Sequence, residues 1–158
     1  MSARLRPLRE DEFEAWHRLS RARYADDMVE NGGFAPDAAR EKSEKDFATT
    51  MPDGLATPGQ HVFAVEAPDG EVVGHVWLGE RDTRDEGRVA FVYEIRIDEE
   101  QRGRGYGRSA MLLLEDEARA RGLGRIELNV FGGNDVARGL YRSLGYAERA
   151  VMMGKALA

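Results

Sequence analysis

Apolar residues recur along the chain with two periods, and the switches between them lay out the elements. "RLRPL" opens as a short strand. From about Glu10 to Val29, Phe13, Trp16, His17, Leu19, Ser20 and Tyr24 fall near helical spacing, which predicts an amphipathic helix. "NGGFAP" breaks it, and Pro36 and Asp37 open a second, highly charged helix that ends before the turn-rich "MPDGLATPG". "HVFAVEA" and "VVGHVWLGE" are rich in β-branched and aromatic residues and flank "PDGE", the pattern of a hairpin. "RVAFVYEIRID" is apolar enough on both faces to be a central strand. After a glycine-rich loop, Ala110, Met111, Leu114 and Ala118 mark a helix from Tyr106 to Arg121, closed by Gly122. "RIELNVF" reads as a strand, and "GGN" turns the chain. Asn134 or Asp135 then caps a short helix carrying Val136, Ala137, Leu140, Tyr141 and Leu144 on one side, stopped by Gly145. "RAVMMGKAL" supplies a last strand. The order βααβββαβαβ implies an α/β protein on a mixed sheet, α+β in character.

Composition narrows the function. A length of 158 residues suits a single domain spanning 1–158. The net charge of −6 argues against nucleic acid as a partner, because such binding needs a basic surface. With no cysteine, disulfides, thiol nucleophiles and thiolate metal sites are excluded. His17, His61 and His75 lack metal-ligand spacing, so no metal is expected. No apolar run approaches a membrane span and "MSARLRPLREDEF" is no signal peptide, which reads as a cytoplasmic protein without a membrane partner.

The chemistry concentrates in "RGRGYGR". Gly103, Gly105 and Gly107 stand on alternate positions among Arg102, Arg104 and Arg108, between a strand and a helix start. Backbone N–H groups and the helix dipole converge at such a turn, glycine lets an anion approach, and arginine adds full charge. A pyrophosphate fits. A P-loop would need lysine where Arg108 stands, and the dinucleotide fingerprint needs a different glycine spacing, so neither ATP hydrolysis nor nicotinamide binding is favoured.

"EIRIDEEQRGRGYG", followed by "NVFGGNDVARGLYRSLGY", resembles the GCN5-related N-acetyltransferase (GNAT) family. Arg102 to Gly107 matches its acyl-coenzyme A motif, and Asn134, Ala137, Tyr141, Gly145 and Tyr146 match its second motif. The resemblance implies the GNAT fold with splayed central strands and acetyl-coenzyme A as acetyl donor. It places the pyrophosphate on the amides of Arg102, Gly103, Arg104, Gly105, Tyr106, Gly107 and Arg108. It pairs the pantetheine arm with the backbone of Ile95, Arg96 and Ile97, and lines the cleft with Asn134, Ala137 and Tyr141.

The implied activity is transfer of the acetyl group to a primary amine by direct attack in a ternary complex, since no cysteine can carry it. Tyr141 matches the tyrosine that gives a proton to the departing sulfur. Glu94, an acid within an apolar strand, is the candidate base, because burial would raise its pKa. An ion pair with Arg125 or Arg96, or an ordered water as base, is the alternative for that residue. Tyr93 and Tyr106 are lesser candidates. The acceptor is a small-molecule or protein amine, and Asp26, Asp27 and Glu30 could draw a cationic one. A non-catalytic acyl-coenzyme A sensor is the alternative function. The apolar "AVMMGKALA" allows a homodimer or a buried terminal strand.

Overall fold

The computed structural model describes residues 2–158. Its elements are β1 (Arg4–Pro7), α1 (Glu10–Gly32), α2 (Pro36–Thr50), β2 (Gln60–Glu66), β3 (Val72–Thr83), β4 (Gly87–Ile97), α3 (Tyr106–Ala120), β5 (Ile126–Leu128) and α4 (Asp135–Ser143). The strands form one sheet in the order β1-β2-β3-β4-β5, antiparallel up to β4, with β5 parallel to β4. A parallel neighbour requires a crossover, and α3 supplies it.

Apolar clusters lie on both faces. On one, Ala110, Met111 and Leu114 of α3 are fully buried with Val65, Val76, Leu78 and Ala90. On the other, Trp16 of α1 and Phe47 of α2 pack on Val62 and Trp77. The chain is a three-layer sandwich, and β4 is the strand between β3 and β5. Side chains of β4 point to both layers, Ala90, Val92, Ile95 and Ile97 to the α3 side and Tyr93 and Glu94 to the α1 side, which is what brings chemistry from both layers to one place.

The expected terminal strand does not form. Residues 147–158 have no regular structure, with Met152 100% and Met153 90% exposed. β5 is only three residues long, too short to template a further strand. Ion pairs fix the start of the tail instead: Glu148 to Arg138 and Arg142, Arg149 to Glu86 and Glu127. Two apolar assignments also change. Leu19 (42%) and Val136 (87%) point to solvent, each one position off the stripe that its helix buries.

Candidate active site

The site begins where the sheet opens. β4 and β5 pair at Ala90↔Ile126, Phe91↔Glu127 and Val92↔Leu128, and the ladder then stops. Beyond that point β4 keeps its β3 partners, Trp77↔Glu94, Val76↔Ile95, His75↔Arg96 and Gly74↔Ile97, but has no strand on the other side. The register shift opposite Trp77 and Leu78 makes Tyr93 an extra residue, a bulge that re-aims the strand. Backbone groups of this half-strand are left for another partner, the arrangement that accepts an extended ligand.

Two glycines let this geometry exist. A Cβ on Gly79 would come within 2.3 Å of Tyr93 Cε2, and one on Gly74 within 2.1 Å of the Arg96 carbonyl oxygen. The first makes room for the bulged tyrosine, whose ring stacks on Trp77 at 4.5 Å. Beyond the bulge, Ile95 and Ile97 pack toward the α3 layer, while Glu94 turns to α1.

The glycine loop follows directly. Gly103 (φ +77°) and Gly105 (φ +85°) both adopt the left-handed conformation, and Gly105 is the residue preceding α3. No side chain caps that helix, and its first hydrogen bond runs from the Ser109 N–H to the Gly105 carbonyl. The N–H groups of Tyr106, Gly107 and Arg108 therefore have no acceptor within the helix. The side chains around them differ. Arg104 is exposed, with no partner among the described residues, Arg102 folds back to donate to the Ile97 carbonyl at 3.0 Å, and Arg108 donates to Ser143 Oγ at 3.2 Å. Tyr106 is 3% exposed, its ring in the core, so only its backbone reaches the loop. Gly107 is not required sterically, since its Cβ would meet Leu140 at an ordinary 3.5 Å.

Glu94 forms neither ion pair considered for it. Arg125 pairs with Glu86 and Glu127, and Arg96 with Asp98, while donating to His75 Nδ1 at 2.8 Å. Instead the Trp16 indole N–H donates to Glu94 Oε1 at 2.9 Å. Burial raises the Glu94 pKa above its ordinary value, and Ser20, Trp16, Arg96 and Arg23 oppose the rise. His75 is driven down to about 4 by burial and by Arg96, so it is neutral and free to accept from that arginine.

α4 supplies the opposite wall. Asn134 is its cap, its Oδ1 accepting from the Ala137 N–H at 3.3 Å, and Asp135 is the first helical residue. Tyr141 is half-buried against Tyr146, with ring centres 5.9 Å apart. Burial, and then the charge of Asp27, push its pKa up to about 12, so the phenol keeps its proton through the neutral range. Tyr93 is less available, because its hydroxyl accepts from Arg81 Nε at 3.0 Å.

The sequence names Trp16, Ser20 and Asp27 singly, but not the stripe they form with Arg23 and Asn31. Trp16, Ser20, Arg23, Asp27 and Asn31 recur at helical spacing on α1 and form a stripe along the site. Its first three residues surround Glu94, and Asp27 faces Tyr141. Asn31 donates to Asp27 at 2.6 Å. The end of α1 lies close to the loop before α4, since a Cβ on Gly32 would come within 2.8 Å of the Phe131 ring. The available signal was a polar residue recurring every three or four positions beside an apolar stripe.

The sequence pattern of the acetyltransferase (GNAT) family matches residues 8–146, and the chain belongs to that family. It is 31% identical over 157 residues to the uncharacterized N-acetyltransferase YycN of Bacillus subtilis, covering 99% of this chain and 100% of that one. The crystal structure of YycN superposes with a TM-score of 0.91 at 30% identity, covering 99% of each chain. A mycothiol acetyltransferase of Kytococcus sedentarius is 33% identical over 138 residues, 87% of this chain but 43% of its own length. The fold is shared with AAC(6')-Iy, solved in complex with a bisubstrate analog, at a TM-score of 0.64, 18% identity and coverage of 99% and 100%. The chain is an N-acetyltransferase on the α/β GNAT fold. Among the described residues no helix is long and apolar enough to cross a membrane.

Proposed function

We propose that residues 1–158 work as a single domain that transfers the acetyl group of acetyl-coenzyme A to a primary amine, with Glu94 as base and Tyr141 as acid. The observation that carries this reading is the end of the β4–β5 ladder at Val92, which leaves an unpaired strand edge between Glu94 and the uncapped start of α3. Acetyl-coenzyme A, when bound, supplies an activated thioester and an anionic handle. The N–H groups at the start of α3, with Arg104 nearby, suit that handle, and the free edge from Tyr93 to Ile97 suits an extended amide-bearing arm.

The protein's residues then divide the proton work. Glu94 takes one proton from the substrate ammonium, which frees the nitrogen lone pair to attack the acetyl carbon. A backbone N–H between Ile95 and Ile97 polarises the carbonyl oxygen. As the new C–N bond forms and the C–S bond breaks, Tyr141 gives its proton to the sulfur. Tyr141 regains a proton from the nitrogen, which leaves a neutral amide, a free thiol and one proton on Glu94.

The test is thiol release over a panel of amines with the wild type, Tyr141→Phe and Glu94→Gln. Each variant should lose about a hundredfold or more in kcat, the ordinary weight of a positioned acid or base, while acetyl-coenzyme A still binds. Full activity in both variants would overturn the assigned roles.

A further inference from the structure

Arg23 is the anomaly of the site. Several cations of the chain have no hydrogen-bond or ion-pair partner among the described residues, but Arg18, Lys45, Arg84, Arg104 and Lys155 are all exposed. Arg23 is half-buried, and its Nε has neither solvent nor a hydrogen-bond partner. Leaving such a donor unsatisfied costs free energy, and a guanidinium more than a neutral group. The other buried side-chain atoms in that condition are Ser20 Oγ and Arg96 Nε. All three belong to residues that act on Glu94.

The orphans are not equivalent. Arg96 is anchored, with its terminal nitrogens on Asp98 and His75. Ser20 has a single small hydroxyl in a fully buried position. Arg23 is the remaining group with its fork free, and it lies one turn along α1 from the residues that hold the base. A planar guanidinium in that state matches a carboxylate, which it grips through two parallel hydrogen bonds. Glu94 itself is not that partner, because among the described residues Arg23 forms no ion pair within 4.0 Å. Four residues further along, Asp27 presents the opposite charge toward Tyr141. With Glu94 on β4, the stripe thus sets a guanidinium alongside two carboxylates, the complement of a molecule that carries both an ammonium and a carboxylate.

We propose that Arg23 determines acceptor specificity and that the acceptor is a free amino acid, its carboxylate on Arg23 and its amine directed to Glu94. The inference rests on the acetyl-transfer reading for its chemistry, but its recognition element can be measured without turnover. Peptides and simple amines, whose amine has no neighbouring carboxylate, are then poor acceptors.

The experiment compares L-amino acids with their carboxamides, at saturating acetyl-coenzyme A, in the wild type, Arg23→Gln and Arg23→Lys. The wild type should favour at least one amino acid over its carboxamide by about ten- to hundredfold in kcat/KM, the weight of a charge-assisted pair. Arg23→Gln should erase that ratio and Arg23→Lys restore part of it, with both variants folded and coenzyme affinity unchanged. Equal use of acid and carboxamide by the wild type, or equal slowing of both in Arg23→Gln, would overturn the proposal. Should no amine be acetylated at all, the transfer reading fails by itself. Calorimetric titration of the same amino acids into the coenzyme A complex still decides the site: binding lost in Arg23→Gln supports it, and unchanged or absent binding refutes it.

Discussion

Glu94 shows what a catalytic carboxylate demands of a fold. Its pKa is raised mainly because it is buried, and the Trp16 N–H holds back part of that rise. The acidic limb of kcat/KM should therefore lie above the ordinary glutamate value of about 4.3. Trp16→Phe removes a donor to the charged form, so the limb should move to still higher pH; a limb that stays put would mean another group is the base. The same burial has a sign for stability. A carboxyl whose folded pKa is raised stabilises the fold below its unfolded value, and that contribution is lost as pH rises through the folded value. At neutral pH the ionised side chain is a burden, so Glu94→Gln should raise the melting temperature while lowering turnover, the gain shrinking as pH falls. An unchanged melting temperature at pH 7 would show that the charge is fully compensated. At this scale the sequence showed the acid in the apolar strand and the motif tyrosine. It could not show Arg23, because an arginine on a helix reads as solvated until the opposite wall is known.

Among the elements, β4 and the loop after it define the site. The strand, the glycine turn and the helix that follows were legible because each has a period or a residue type that only one conformation suits. Gly105 takes a left-handed φ, so Gly105→Ala should cost on the order of 1 kcal/mol in stability and weaken coenzyme binding at least tenfold; urea unfolding and calorimetry check the two halves. Gly79→Ala should cost about 1–3 kcal/mol, since its new methyl meets the bulged Tyr93 ring, and Tyr93→Ala in the same chain should relieve the clash. Additive losses in that pair would contradict the close approach. The bulge and the end of the β4–β5 ladder were not legible. Both depend on how two strands register, and residues 125–131 carry apolar letters past the point where pairing stops at Leu128. The missing last strand has the same origin. "AVMMGKALA" has strand-like composition, but pairing needs a neighbour that β5 is too short to provide.

Across the whole molecule, acidic residues contribute stability as well as charge. Glu12 is held down to about 2 by Arg6, and Glu66 below its ordinary value by Arg6 and Arg4, which ties β1 and β2 to the start of α1. A lowered folded pKa gives stability that is present above the unfolded value and lost as pH falls through the folded one. Melting temperature should therefore drop between about pH 4.5 and pH 2, less steeply in Arg6→Met, which has already lost the pairs. The exposed tail makes a separate demand: deleting residues 150–158 should leave the melting temperature and the solution mass per particle of this chain unchanged, apart from the lost residues. A halved particle mass would mean that the tail joins two copies. In the proposed complex, one opening in the sheet holds acetyl-coenzyme A across the free edge of β4 and the start of α3. Calorimetric titration of acetyl-coenzyme A into the wild type and Gly105→Asp checks that placement. One site per chain is expected in the wild type, with binding lost by at least a hundredfold in the folded variant, where a carboxylate would face the pyrophosphate. Equal affinity in the two proteins would place the coenzyme away from the glycine turn and overturn this site.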